Sequence, residues 1–205
     1  MTEYDAVVID AGTGNLRSVE NALRSLGYRI LVTARPEDLA LPGRVILPGV
    51  GAFGAFMQGL RAAGLDEAVQ QVFRRGDPLL GICVGMQAFF ETGEELGVFD
   101  GLGLLPGKVQ RFPDFADLKV PHTGWNQLHF TRPSPLFAGL ETGCFAYFNH
   151  SYYCAAADPA HLLAQTDYGI DFASAVQRDN LLAVQFHPEK SQRVGKTILE
   201  NFFRI

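Results

Sequence analysis

Apolar and polar positions change period several times along this chain. YDAVVIDA (4–11) is a short apolar run suited to a strand, and GNLRSVENALRSLG (14–27) then places Leu16, Val19, Leu23 and Leu26 at helical spacing. Gly27 closes that helix, as a C-terminal glycine does. YRILVTA (28–34) and RVILPG (44–49) read as strands, FGAFMQGLRAAG and DEAVQQVFRRG as helices, and PLLGIC (78–83) as a strand that runs into a further helix, VGMQAFFE (84–91). Strands alternating with helices predict βαβ units and a parallel sheet covered on both faces, and VVID, VILP and LLGIC are continuously apolar, as such strands are. The second half differs. FAYFNHSYYC (145–154), HLLAQTDYG (161–169), DFASAVQRD (171–179) and NLLAVQFHPE (180–189) are strand-like runs between turn residues, with Arg178-Asp179-Asn180 as a hairpin connection. SQRVGKTILENFFR places Val194, Ile198, Leu199 and Phe202 on one helical face. The pattern predicts an α/β fold: an open, mostly parallel twisted sheet flanked by helices, with an antiparallel C-terminal extension.

At 205 residues, 47% apolar and 19% charged, the chain can bury a large core, and without a linker or repeat one domain spanning 1–205 is expected. A formal charge of −5 with scattered Lys and Arg gives no reason to expect a nucleic-acid partner. No apolar run approaches the ~20 residues of a membrane span, and MTEYDAVV carries no basic targeting region. Three cysteines, Cys83, Cys144 and Cys154, compose no disulfide framework and fit a reducing compartment, so a cytoplasmic protein is expected. Cys144 and Cys154 have no charged company in sequence and read as structural.

The chemistry concentrates in LLGICVGMQ (79–87), where Gly81 and Gly85 bracket Cys83. A strand that runs into a glycine-flanked nucleophile and then a helix is the arrangement of a nucleophile elbow: the sharp turn lifts the side chain above the sheet and needs small residues at ±2. The helix N-terminus would favour a thiolate. Alone, the same pattern also suits a small buried cysteine. A cysteine nucleophile needs a histidine partner oriented by an acid. Of five histidines, His187 stands in QFHPE at the end of the strand LLAVQF, with Glu189 two residues on and Pro188 stiffening the backbone between them. An isolated HPE is an ordinary strand-ending turn; beside G-x-C-x-G it becomes a candidate base and acid. LPGVGAF (47–53) leads a strand through Pro48, Gly49, Val50 and Gly51 toward a helix, a loop able to turn N–H groups toward an oxyanion or simply to connect its neighbours.

In this order, Pro48–Gly51, Gly81–Gly85 and His187–Glu189 resemble the class I, triad-type glutamine amidotransferases. DAGTGNLRSV, LPGVGAF in place of LPGG, GICVGMQ, PHTGWNQL (121–128) and FNHSYY (148–153) narrow the resemblance to the glutaminase subunits of imidazole glycerol phosphate synthases, over nearly the whole chain. Ala11 departs from the tyrosine usual in that family and bears on packing or an interface, not on catalysis. The resemblance implies a flavodoxin-like fold, glutamine as substrate, no cofactor and no metal. It implies Cys83 as nucleophile, His187 as base and then acid, and Glu189 as the residue orienting it.

By the same resemblance, the N–H of Val84 and the Gly49-Val50-Gly51 loop stabilise the oxyanion, while Gln87, Glu95 and the backbone of Ser151 and Tyr152 hold the substrate. Glu95, within TGEEL, is equally suited to a solvated turn. Ammonia would pass to a separate (β/α)8-barrel cyclase in histidine biosynthesis, forming imidazole glycerol phosphate and an aminoimidazole carboxamide nucleotide. Interface candidates are Asn15, Trp125, Asn126 and Lys190; Trp125, the only tryptophan, also suits a core position, and Lys190 a solvated helix start. Alternatives are the glutaminase subunit of a pyridoxal-phosphate or anthranilate synthase, against which PGVG and PHTGWNQL argue, and a cysteine peptidase-like or non-catalytic binding protein of similar fold.

Overall fold

The computed structural model describes residues 3–12 and 16–205. Along the first half run β1 (Ala6–Ile9), α1 (Leu16–Ser25), β2 (Ile30–Thr33), β3 (Arg44–Gly49), α2 (Phe53–Ala62), α3 (Leu65–Arg75) and β4 (Leu79–Cys83). A one-turn α4 (Val84–Gln87), β5 (Phe90–Gly93), β6 (Phe99–Asp100) and β7 (Leu105–Arg111) follow. The chain ends with β8 (His122–Phe130), β9 (Cys144–His150), β10 (Tyr152–Ala156), β11 (Leu162–Asp167), β12 (Asp171–Arg178), β13 (Leu181–Val184) and α5 (Gln192–Phe202).

Nine strands form one sheet in the order β2-β1-β3-β4-β13-β12-β11-β8-β9. The pairs from β2 to β13 are parallel, and those from β13 to β9 are antiparallel. β4 lies between β3 and β13, with Gly49 opposite Cys83 on one side and Val184 opposite Ile82 on the other. This register carries the LPGVG loop and the QFHPE segment to either flank of Cys83. All five residues of β4 and all four of β13 are buried, which accounts for their unbroken apolar runs. Val19 and Leu23 of α1 and Ile198, Leu199 and Phe202 of α5 are buried as the helical spacing required.

The structure corrects two sequence expectations and adds a second sheet. The helix expected over 84–91 stops after Gln87. Leu102 N–H donates to Ala88 O at 2.8 Å and Leu104 N–H to Phe89 O at 2.8 Å, so the next carbonyls belong to the 102–105 segment instead of to a continuing helix. The macrodipole expected behind the sulfur is therefore reduced to one turn. FAYFNHSYYC, read as one run, is two strands, β9 and β10, that join different sheets and part at Ser151. β10 pairs with β7, and β7 with β5, in a four-stranded sheet ordered β10-β7-β5-β6. The period-2 signal does not reveal which sheet a strand joins, so this break was invisible to it.

The elbow depends on small residues. A Cβ at Gly85 would stand 1.8 Å from the Leu47 carbonyl oxygen, and one at Gly81 2.4 Å from the Phe89 ring. Gly85→Ala must push β3 away from the turn that follows β4. We expect it to cost at least about 3 kcal/mol, read as a lower urea midpoint, or to prevent soluble expression. An unchanged midpoint would mean that Leu47 yields freely.

Candidate active site

Cys83 is held at φ 55°, ψ −112°, a conformation that non-glycine residues rarely adopt. Its side chain is buried at the end of β4, and Val84 opens α4, so the Val84 N–H lies outside that turn's own hydrogen bonds. From the adjacent β13 the chain continues through Gln185 and Phe186 to His187, which is buried and lines the same cleft as Cys83. His187 Nδ1 lies 2.8 Å from Glu189 Oε1, and both side chains are almost fully shielded from solvent. Three further bonds pin this turn: His187 N–H donates to Tyr147 O at 2.9 Å, Ser191 Oγ to His187 O at 2.7 Å, and Tyr147 N–H to Ser191 Oγ at 2.9 Å.

Burial alone would lower the pKa of His187. Interaction with the neighbouring Cys83 and the bond to the Glu189 carboxylate outweigh it and push the value up to about 10. Gln185, fully buried, points Nε2 at Cys83 Sγ from 3.7 Å, and its Oε1 accepts from Gln87 Nε2 at 3.1 Å. Sequence reasoning did not single out Gln185, although it stands two residues before His187 in the same motif.

A cleft of about 410 Å³ opens above Cys83. It gathers Val50, Gly51, Cys83, Val84, Gln87, Glu95, Ser151, Tyr152, His187 and Lys190, which are sequence candidates drawn from distant parts of the chain. Gly49 and Glu189 lie behind it, lining a smaller void. Glu95 is not merely solvated, because its Oε2 accepts from Phe53 N–H at 2.7 Å and so ties the β5–β6 turn to the start of α2, directly after the LPGVG loop. The Tyr152 carbonyl already accepts from Gln87 Nε2 at 3.1 Å and faces His150 Nδ1 at 2.8 Å, which leaves N–H groups to face a ligand there.

Trp125 and Asn126 are not in the cleft. Trp125 is 46% exposed, which answers the choice between core and surface, and it meets Tyr147 edge-on; Lys190 Nζ lies 5.7 Å from the same Tyr147 ring. Asn15 lies outside the described residues. Among the described residues no cluster of His, Cys, Asp or Glu could hold a metal ion, and no helix is long and apolar enough to cross a membrane.

A strained cysteine at the C-terminal edge of a parallel sheet, facing a buried imidazole backed by a carboxylate, is the equipment of a thiol-dependent acyl-transfer enzyme. The family model for class-I glutamine amidotransferases matches residues 7–205, and the chain belongs to that family. It is 51% identical to the imidazole glycerol phosphate synthase subunit HisH of Moorella thermoacetica, covering 95% of this chain and 92% of that one. To the subunit of the same name from Syntrophotalea carbinolica it is 48% identical, over 96% and 98%. Among solved structures, a glutamine amidotransferase aligns with a TM-score of 0.73 at 23% identity, covering 96% of each chain. Another, from Thermotoga maritima, aligns at 0.66 and 15% over 98% and 83% and shares the fold alone.

His187 carries a folded-state pKa above that of an unfolded histidine, so its contribution to stability is complete below about pH 6.5 and is lost as pH rises to about 10. Glu189→Gln keeps a hydrogen-bond partner but removes a charge that raises the value. The stability gap between wild type and variant should be widest near pH 6 and close toward pH 10 in urea titrations. A gap independent of pH would show that Glu189 does not support the imidazolium.

Proposed function

We propose that the chain hydrolyses glutamine to glutamate and ammonia and delivers the ammonia to a (β/α)8-barrel cyclase, as the glutaminase subunit of an imidazole glycerol phosphate synthase in histidine biosynthesis. The observation that carries the reading is Cys83 and His187 lining one cleft, with Glu189 hydrogen-bonded to His187 behind it. Identity near 50% to the named subunits over most of both chains supports the particular synthase over a pyridoxal-phosphate or anthranilate type. A single domain over 1–205 and a cytoplasmic location fit the same reading.

In the mechanism, Cys83 Sγ attacks the side-chain amide carbon of glutamine, and negative charge develops on its oxygen. The Val84 N–H and the loop at Gly49, Val50 and Gly51 stabilise that charge. The C–N bond breaks as His187 gives its proton to the departing nitrogen, leaving a γ-glutamyl thioester. His187, now neutral, takes a proton from water, whose oxygen displaces the sulfur and releases glutamate. Glu189 holds the imidazole and balances its charge at each protonation. Glu95 and Gln87 face the α-ammonium and α-carboxylate end of the substrate together with the backbone at Ser151 and Tyr152. Trp125, Asn126 and Lys190 form the docking face, which the half-exposed Trp125 of β8 and Phe145 of the neighbouring edge strand β9 support.

Val50 makes this subunit dependent on its partner. Gly51 sits at φ 89°, whereas Val50 is not among the residues at positive φ, and its β-branch resists the turn that a glycine would accept. The loop then rests with one oxyanion donor turned away, and docking shifts it toward the competent state. Loss of one such donor costs about 10²–10³ in rate, so glutamine turnover should rise by about that factor when the cyclase and its nucleotide are added. Equal turnover with and without the partner defeats this account. Lys190→Glu should weaken that assembly and raise its salt sensitivity in titrations, leaving the subunit folded.

Cys83→Ala should abolish ammonia release from glutamine, while the assembled complex still forms product from added ammonium salt. Loss of both activities would make Cys83 a structural residue.

A further inference from the structure

Two buried histidines outside the triad form a directed chain of hydrogen bonds. His150 Nδ1 lies 2.8 Å from Tyr152 O, His122 Nδ1 3.0 Å from His150 Nε2, and Asn126 Nδ2 3.2 Å from His122 Nε2. A carbonyl oxygen only accepts, so the His150 proton must sit on Nδ1. Neutral His150 then accepts at Nε2, which requires His122 to be protonated at Nδ1 and to accept at its own Nε2. Asn126 fits this end of the chain: Nδ2 also donates to Asp167 O at 2.8 Å, while Oδ1 accepts from Gln127 N–H at 2.8 Å, which decides the orientation of its amide. One arrangement of protons therefore satisfies every member. Burial supports it by lowering His150 to about 3 and His122 to about 4, and the positive charge of His187 nearby acts in the same direction on His150.

The chain ends where the backbone crosses from the nine-stranded sheet at His150 to the four-stranded sheet at Tyr152, a crossing that walls the cleft. The Tyr152 carbonyl is also held by Gln87, four residues beyond Cys83. His150 lines the cleft, but both its ring nitrogens are committed inside the protein, which leaves it no polar atom for a ligand. We propose that His150 and His122 are positioning residues whose fixed neutral tautomers hold the Ser151–Tyr152 wall in the shape that binds glutamine. The glutamine part of this assignment rests on the hydrolase reading above; the hydrogen-bond chain does not.

The test combines spectroscopy on the full chain with kinetics on the complex with its cyclase. In ¹⁵N-histidine-labelled protein at pH 6, two histidines should be neutral and protonated at Nδ1; a cationic or Nε2-protonated pair overturns the proposal. His150→Phe keeps a ring among Phe112, Phe148 and Phe172 but removes the donor, and should raise KM for glutamine about tenfold with kcat changed less than about threefold, the scale of one buried hydrogen bond. His150→Asn, whose amide nitrogen can take the place of Nδ1, should recover most of the loss. A KM for His150→Phe within about twofold of wild type, or a His150→Asn no better than His150→Phe, would reduce the pair to packing. If the Phe variant does not fold, the Asn variant decides by the same KM. Wild-type complex that turns over no glutamine fails the hydrolase reading, and the tautomer measurement still decides the chain.

Discussion

Holding a side-chain-bearing residue at φ 55° and ψ −112° costs on the order of 1–3 kcal/mol, and at Cys83 the surrounding packing must supply it. Gly85 lies so close to the Leu47 carbonyl that no Cβ fits, and a Cβ at Gly81 would likewise collide with the Phe89 ring. The turn is thus clamped between β3 and the elements that follow it. Because β4 is flanked by β3 and β13, fixing this one residue also places the LPGVG loop and the approach to His187 on either side of the sulfur. The rest of the site is built outward from that strained position.

The charge at the centre of the site is maintained against burial. An imidazolium away from water is unfavourable unless paired, and the Glu189 carboxylate 2.8 Å from Nδ1 supplies the pairing. The turn carrying His187 and Glu189 is tied to Tyr147 of β9 by a direct bond and through Ser191. β9 then ends at His150, the start of the crossing into the second sheet. The antiparallel extension is therefore mechanically joined both to the His187 imidazole and to the cleft wall, and its last two strands carry the exposed Trp125 and Phe145 with Tyr147 between them.

The alternation of strands and helices in the first half was legible because buried parallel strands and amphipathic helices leave opposite periods in a sequence. Cys83, His187 and Glu189 stood out as candidates because G-x-C-x-G and H-P-E each set particular residue types within a few positions. The helix expected after the elbow was not, because Ala88 and Phe89 surrender their carbonyls to residues 102–105, a competition that no local window contains. The strand break at Ser151 escaped for the same reason, since membership of one sheet or another is decided by partners far along the chain.

What the chain determines by itself is local: where periods change, which glycines a tight approach requires, and which side chains can carry thiol, base and acid chemistry. What only the tertiary structure decided is which of these meet. Glu95 joins the start of α2 across 42 positions, Gln185 reaches Cys83 across 102, and His122 finds His150 across 28. Side-chain hydrogen bonds act over about 3 Å and leave no periodic trace in sequence, so these partners become visible only when the strand order brings their backbones side by side.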